Sequence, residues 1–198
     1  MSEKPHIQSQ VPGDVPSGDR TSHEKPGSLT VSTQRLDLLP CSAKLARALS
    51  HGGVRAEALL GARVPDDWPA QDLRDFLPHY VQGLEADPSL LGWGIWLMIR
   101  RTDFVVIGDL GFKGKPDGEG TVEIGYSVAP AYRRQGYASE ATQALVGWTL
   151  AQPGVRRIVA ECAPDNIASV RVLEKLGMQR LGTVGPLLRW SRGATLRS

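Results

Sequence analysis

The segment Ala131-Tyr132-Arg133-Arg134-Gln135-Gly136-Tyr137-Ala138 decides how the rest of this chain is read. Ahead of it Val122, Ile124, Tyr126 and Val128 alternate with Glu123, Gly125 and Ser127, the period of two of a strand, and Pro130 ends that strand. Behind it Ala138, Ala141, Leu145 and Trp148 recur at helical spacing. A turn with one glycine and two arginines thus feeds a helix N-terminus, where unpaired backbone N–H groups and the positive end of the helix dipole converge. Such a turn points to an anion, a pyrophosphate above others.

Downstream of that helix, Pro153-Gly154 is a stop and residues 155–162 form a strand-like apolar run. Asn166 then stands where a helix N-cap belongs, Ile167, Val170, Leu173 and Leu176 supply a buried stripe, and Gly177 a left-handed end. Two last strands, 178–184 and 187–191, turn at Gly185-Pro186. Upstream, residues 114–120 make a turn, and 93–100 and 104–112 a hairpin around Arg101-Thr102-Asp103. Residues 73–86 carry helical spacing that Pro78 is expected to kink or divide. Residues 42–60 read as a helix interrupted at Gly52-Gly53, and residues 30–39 as one first strand. The order is α+β, and its strand–helix–strand unit over 123–162 requires a parallel, right-handed crossover.

Composition sets bounds on partners. The 198 residues, 41% hydrophobic and 22% charged, suit one domain spanning 30–198. Residues 1–29, a mixture of Pro, Ser, Gly and charge without periodicity, are read as a disordered tail. A net charge of +2 gives no reason to expect nucleic acid, and the absence of a long apolar run predicts no membrane span. Cys41 and Cys162 have no metal or disulfide spacing, the four histidines none either, so no metal is expected and a cytoplasmic setting is. Gly108 to Lys115 is glycine-rich, but Asp109 and Pro116 occupy the positions where a P-loop needs glycine and a hydroxyl. Gly125-Tyr126-Ser127 resembles a nucleophile elbow, yet no histidine follows it in the chain. Trp93, Trp96 and Trp148 read as core.

The spacing R-x-x-G-x-A at Arg133, Gly136 and Ala138 resembles the acetyl-CoA pyrophosphate loop of the GNAT superfamily of N-acetyltransferases. The run from Asn166 to Met178, opening N-x-x-S and closing E-K-L-G, resembles that superfamily's second signature. The likeness covers residues 32–192 and is nearest to the Rim-type (RimJ/RimL-like) branch that acetylates ribosomal protein N-termini. It implies a mixed, mostly antiparallel sheet with one parallel, splayed strand pair and helices on both faces. It also implies acetyl-CoA as cosubstrate and an amine acceptor, a protein N-terminus or a small molecule. The alternative is a CoA-binding regulatory or scaffold module without turnover. A monomer and a homodimer are both compatible.

The residues assigned to acetyl-CoA are Val128, Arg133, Arg134, Gln135, Gly136, Tyr137, Ala138, Asn166 and Ser169. The bland reading makes the arginines solvated turn charges and Asn166 only a cap. A protonated amine is not a nucleophile, so a base must take its proton. Glu123 lies opposite the apolar strand positions beside small Gly125 and Ser127, which leaves space around it, and the branch often has an acid there. Its competing reading is a surface charge on an edge strand. Backbone N–H groups near Val128 suit the developing oxyanion, and Ser169 the leaving thiolate. Asp66, Asp67, Asp72 and Asp75 cluster around Trp68 in the segment that borders the acceptor cleft in this family, where negative charge attracts a cationic amine.

Overall fold

The strand that precedes the loop, β5 (Thr121–Val128), lies inside the sheet, with β4 (Val105–Phe112) along one edge and β6 (Arg157–Cys162) along the other. The computed structural model describes residues 29–193. Around this centre the eight strands run in the order β1-β2-β3-β4-β5-β6-β8-β7, with β1 Val31–Ser32, β2 Leu36–Pro40, β3 Ile95–Arg100, β7 Gln179–Val184 and β8 Leu187–Gly193. Among the described residues every strand pairing in the sheet is antiparallel except β5 with β6, which the intervening helix α4 (Tyr137–Leu150) makes parallel. The expected α+β class, with its single parallel pair, is what the chain adopts.

The helices divide between the two faces because the strands alternate. Leu36, Trp96, Met98, Ile107, Leu110, Val122, Ile124 and Ile158 point one way and bury Leu145 and Val146 of α4 and Leu173 of α5 (Ile167–Lys175). Leu97, Ile99 and Val106 point the other way, under α1 (Ala43–Ser50), α2 (Gly53–Leu60) and α3 (Gln71–Ala86). Burying a leucine such as Leu145, which has no exposed surface, contributes about 1.5–3 kcal/mol. The three tryptophans read as core do pack together: Trp148 meets Trp93 and Trp96 at centroid distances of 5.7 and 5.2 Å.

Three expectations change. Residues 30–39 are two strands: Thr33 takes the N–H of Leu36 on its hydroxyl and turns the chain, so β1 folds back antiparallel on β2. Pro78 does not divide α3; it is exposed, so the carbonyl left without its helical donor faces water. Ile167 is 53% exposed, and the buried side of α5 rests on Leu173, with Leu176 just beyond it. The expected tail falls almost wholly outside the described residues, and Leu29, its last residue, packs partly buried against the core.

A feature invisible in the apolar run of β4 sets the site. Between Met98 and Ile99 the β3–β4 register shifts, and both Ile107 and Leu110 face α4, which alternation alone forbids. The additional residue is Ile107, which the pairing skips, and beside it stands Gly108, where a Cβ would lie 2.3 Å from the Ser127 carbonyl oxygen, so only glycine fits. The bulge turns Asp109 to the face covered by α1–α3.

Candidate active site

Strands β5 and β6 pair through only three rungs, Thr121–Arg157, Val122–Ile158 and Glu123–Val159, and then diverge. The N–H of Ala129 donates to Ile107 and the carbonyl of Glu123 accepts from the N–H of Lys113, so the odd-numbered residues of β5 bond toward β4. The N–H groups of Tyr126 and Val128, beyond the last rung, therefore face the gap, where no neighbouring strand meets them. A V opens with Glu123 at its apex, and the loop of residues 131–138 lies at the mouth.

That loop carries the conformation an anion site needs. Arg134 (φ 62°) and Gly136 (φ 83°) are both left-handed, which turns successive N–H groups to one side before α4 begins. Gly136 caps the helix with no side chain, and among the described residues no acceptor takes the backbone N–H groups of residues 134–139. Arg133 folds back, its Nε donating to the Val128 carbonyl at 2.8 Å, and so ties the loop to the end of β5. A brace from outside the motif completes it: Arg35 donates to the Gln135 carbonyl at 3.0 Å, pairs with Glu140 at 2.6 Å and lies 4.4 Å from the Tyr137 ring centroid. Burial raises the pKa of Glu140, but hydrogen bonds from Thr33 and Arg35 outweigh it and hold the carboxyl below its ordinary value.

Glu123 lies on an interior strand, not an edge, with its side chain 24% exposed on the α1–α3 face and paired with the Lys113 ammonium. Asn166 does cap α5, accepting the Ser169 N–H at 3.1 Å. Ser169 approaches β5 from the opposite face: its carbonyl accepts the Tyr126 hydroxyl at 3.3 Å, and burial pushes that phenol up to about 12. The two residues expected to handle protons thus flank the V, Glu123 on one face and Ser169 on the other. Of the acidic group around Trp68, Asp72 lies close enough to affect Asp109, the carboxylate that stands where a P-loop needs glycine. Its Oδ2 accepts the Trp68 indole N–H at 3.0 Å, and burial, offset by that bond and reinforced by Asp72, pushes its pKa up to about 6. A lone carboxylate inside an apolar strand run was the signal available for it.

Residues 35–179 match the family described as the acetyltransferase (GNAT) domain. A Bacillus subtilis (strain 168) protein, the uncharacterized N-acetyltransferase YjdG, is 34% identical over 147 residues, 74% of this chain and 88% of that one. Among solved structures, the RimL ribosomal L7/L12 alpha-N-protein acetyltransferase in complex with coenzyme A aligns with a TM-score of 0.62 and 22% identity. That alignment covers 83% of this chain and 98% of RimL. The ribosomal-protein-S5-alanine acetyltransferase from Vibrio fischeri aligns with a TM-score of 0.62 and 14% identity, covering 86% and 99%. At these identities the two structures share the fold.

Proposed function

The chain belongs to the GNAT acetyltransferase family, and on that premise we propose that it transfers an acetyl group from acetyl-CoA directly to a primary amine that has given up its proton, the N-terminus of a protein before a small molecule. The observation that carries this reading is the row of N–H groups at residues 134–139, which opens on the gap where β5 leaves β6. Residues 134–138 and Asn166 would hold the pyrophosphate end, with the N-terminus of α4 contributing positive potential. Acetyl-CoA supplies an acyl group activated as a thioester. The chain supplies the rest: Val128 offers an N–H toward the gap for a developing oxyanion, Glu123 accepts the amine proton, and the Ser169 hydroxyl serves the departing thiolate. Holding both substrates in one gap is itself worth about 7 kcal/mol or more of barrier. A protein acceptor is favoured by the two solved structures named for ribosomal proteins.

The experiment is release of free CoA thiol with a panel of short peptides, differing in their first residue, set against small amines including spermidine. Turnover fastest with peptides is expected. Acetyl-CoA bound but never discharged would leave a CoA-binding module, and absence of acetyl-CoA binding would end the reading altogether.

A further inference from the structure

We propose that Asp109, oriented by Trp68, is the group that receives the ammonium of the acceptor in the cleft under α3. The inference rests on the acetyltransferase reading and adds to it the residue that selects a cationic acceptor.

Three observations combine. The bulge at Ile107 and Gly108 turns Asp109 out of the α4 core and onto the face that also carries Glu123, in register with Leu97 on one side and Ser127 on the other. One carboxylate oxygen is fixed by the indole N–H of Trp68, a residue only 3% exposed, so the carboxylate is aimed, not mobile. The second oxygen accepts no hydrogen bond among the described residues and keeps contact with solvent, so it is free to receive a donor.

The surroundings make a cation the fitting ligand. Asp109 forms no ion pair among the described residues, although a half-buried carboxylate gains most from one. The charged group that reaches it is Asp72, from the first turn of α3, which repels it and attracts the same cation. On its own sheet face the next row along β5 is Gly125, where a Cβ would meet nothing within 4 Å, and the row after that is Glu123. A hollow floored by glycine thus lies between two carboxylates, each about 7 Å along the strand from it. An ammonium entering there is held by Asp109 on the side of Trp68 while Glu123 stands at the apex of the V to take a proton.

The test uses the full chain with its tryptophan indoles labelled with nitrogen-15. The Trp68 signal, assigned by its loss in Trp68→Phe, reports on the carboxylate it bonds. L-alaninamide, a monocation, should shift it saturably, whereas L-lactamide, in which a hydroxyl replaces the ammonium, should not. Asp109→Asn, nearly isosteric, should abolish the shift and raise the alaninamide KM about tenfold to a hundredfold with kcat within about threefold. Trp68→Phe removes a bond that lowers the Asp109 pKa, so the acid limb of kcat/KM should move to higher pH, a change that a packing role would not produce. A wild-type indole signal indifferent to alaninamide, or an Asp109→Asn enzyme with unchanged KM, overturns the assignment of Asp109 alone. Failure of the wild type to bind acetyl-CoA by calorimetry instead removes the reading beneath it.

Discussion

Helix α4 carries two glycines for which one chemical change, glycine to alanine, should act with opposite sign. Gly147 is exposed inside the helix, and a Cβ there would meet nothing within 4 Å. Alanine restricts the unfolded chain and suits the helix better, so Gly147→Ala should stabilise by about 0.5–1 kcal/mol and raise Tm by roughly 1–4 °C. Gly136 caps the same helix at φ 83°, where an L side chain costs about 1–2 kcal/mol. The nearest atom to its Cβ would be Arg35 Nη2 at 3.5 Å, an ordinary contact, so backbone strain is the main cost and Tm should fall by roughly 2–8 °C. The new methyl group would also stand beside the N–H groups of residues 134–139, so acetyl-CoA affinity should drop about tenfold or more, worth about 1.4 kcal/mol. Gly136→Glu, which adds a negative charge, should lose more still. Scanning calorimetry and acetyl-CoA titration calorimetry on both variants provide the assay. If Gly136→Ala binds acetyl-CoA within about twofold of wild type while Gly147→Ala does the same, the loop is not the cosubstrate site.

Other perturbations address separate parts of the molecule. Glu123→Gln should lower kcat by about a hundredfold with acetyl-CoA binding kept, and recover partly toward high pH, where more of the amine is already neutral; near wild-type rates from about pH 6 to 9 would remove Glu123 as the base. For Glu140 the folded pKa is depressed, so its stabilisation is present above the ordinary carboxylate pKa and lost as pH falls through the lower folded value. The Tm difference between wild type and Glu140→Gln should therefore hold at neutral pH and close below about pH 4.3; a gap that persists in acid would mean that charge is not its origin. The buried indole N–H of Trp190 has no partner among the described residues, so Trp190→Phe relieves about 1–3 kcal/mol of desolvation against the cavity a smaller ring leaves. Chemical denaturation should show a net change within about 1 kcal/mol, and a clearly larger loss would reveal a bonded indole.

What the amino-acid pattern revealed is what depends on neighbours in sequence. The alternation from Val122 to Val128, the turn glycine Gly136 and the cap at Asn166 are local devices, and each appears where its spacing placed it. The remainder depends on distant parts of the chain. Whether residues 30–39 make one strand or two turns on the Thr33 hydroxyl, which accepts locally from Leu36 while donating to Glu140 across the fold. Arg35 looked like an ordinary strand residue because its partners, Gln135 and Glu140, lie a hundred residues away. At the bulge of Ile107 and Gly108 the Ser127 carbonyl occupies the place of a side chain at 108, and no periodicity within β4 announces that neighbour. Spacing puts Ile167 in the core, but as the first residue of α5 it is exposed, whereas Leu173, further along the helix, is buried.

The early divergence of β5 from β6 has an outcome that deuterium would record. Along β5 the amide hydrogens of Gly125 and Ser127 are held in the ladder to β4, while those of Tyr126 and Val128 point into the gap. Adjacent residues of a central strand should therefore exchange with solvent on different timescales, slow and fast by turns, a pattern normally confined to the outermost strand of a sheet. A cosubstrate whose extended arm carries amides of its own can slow the fast set by pairing with it. Exchange at Tyr126 and Val128 then becomes a gauge of occupancy that needs no knowledge of the acceptor.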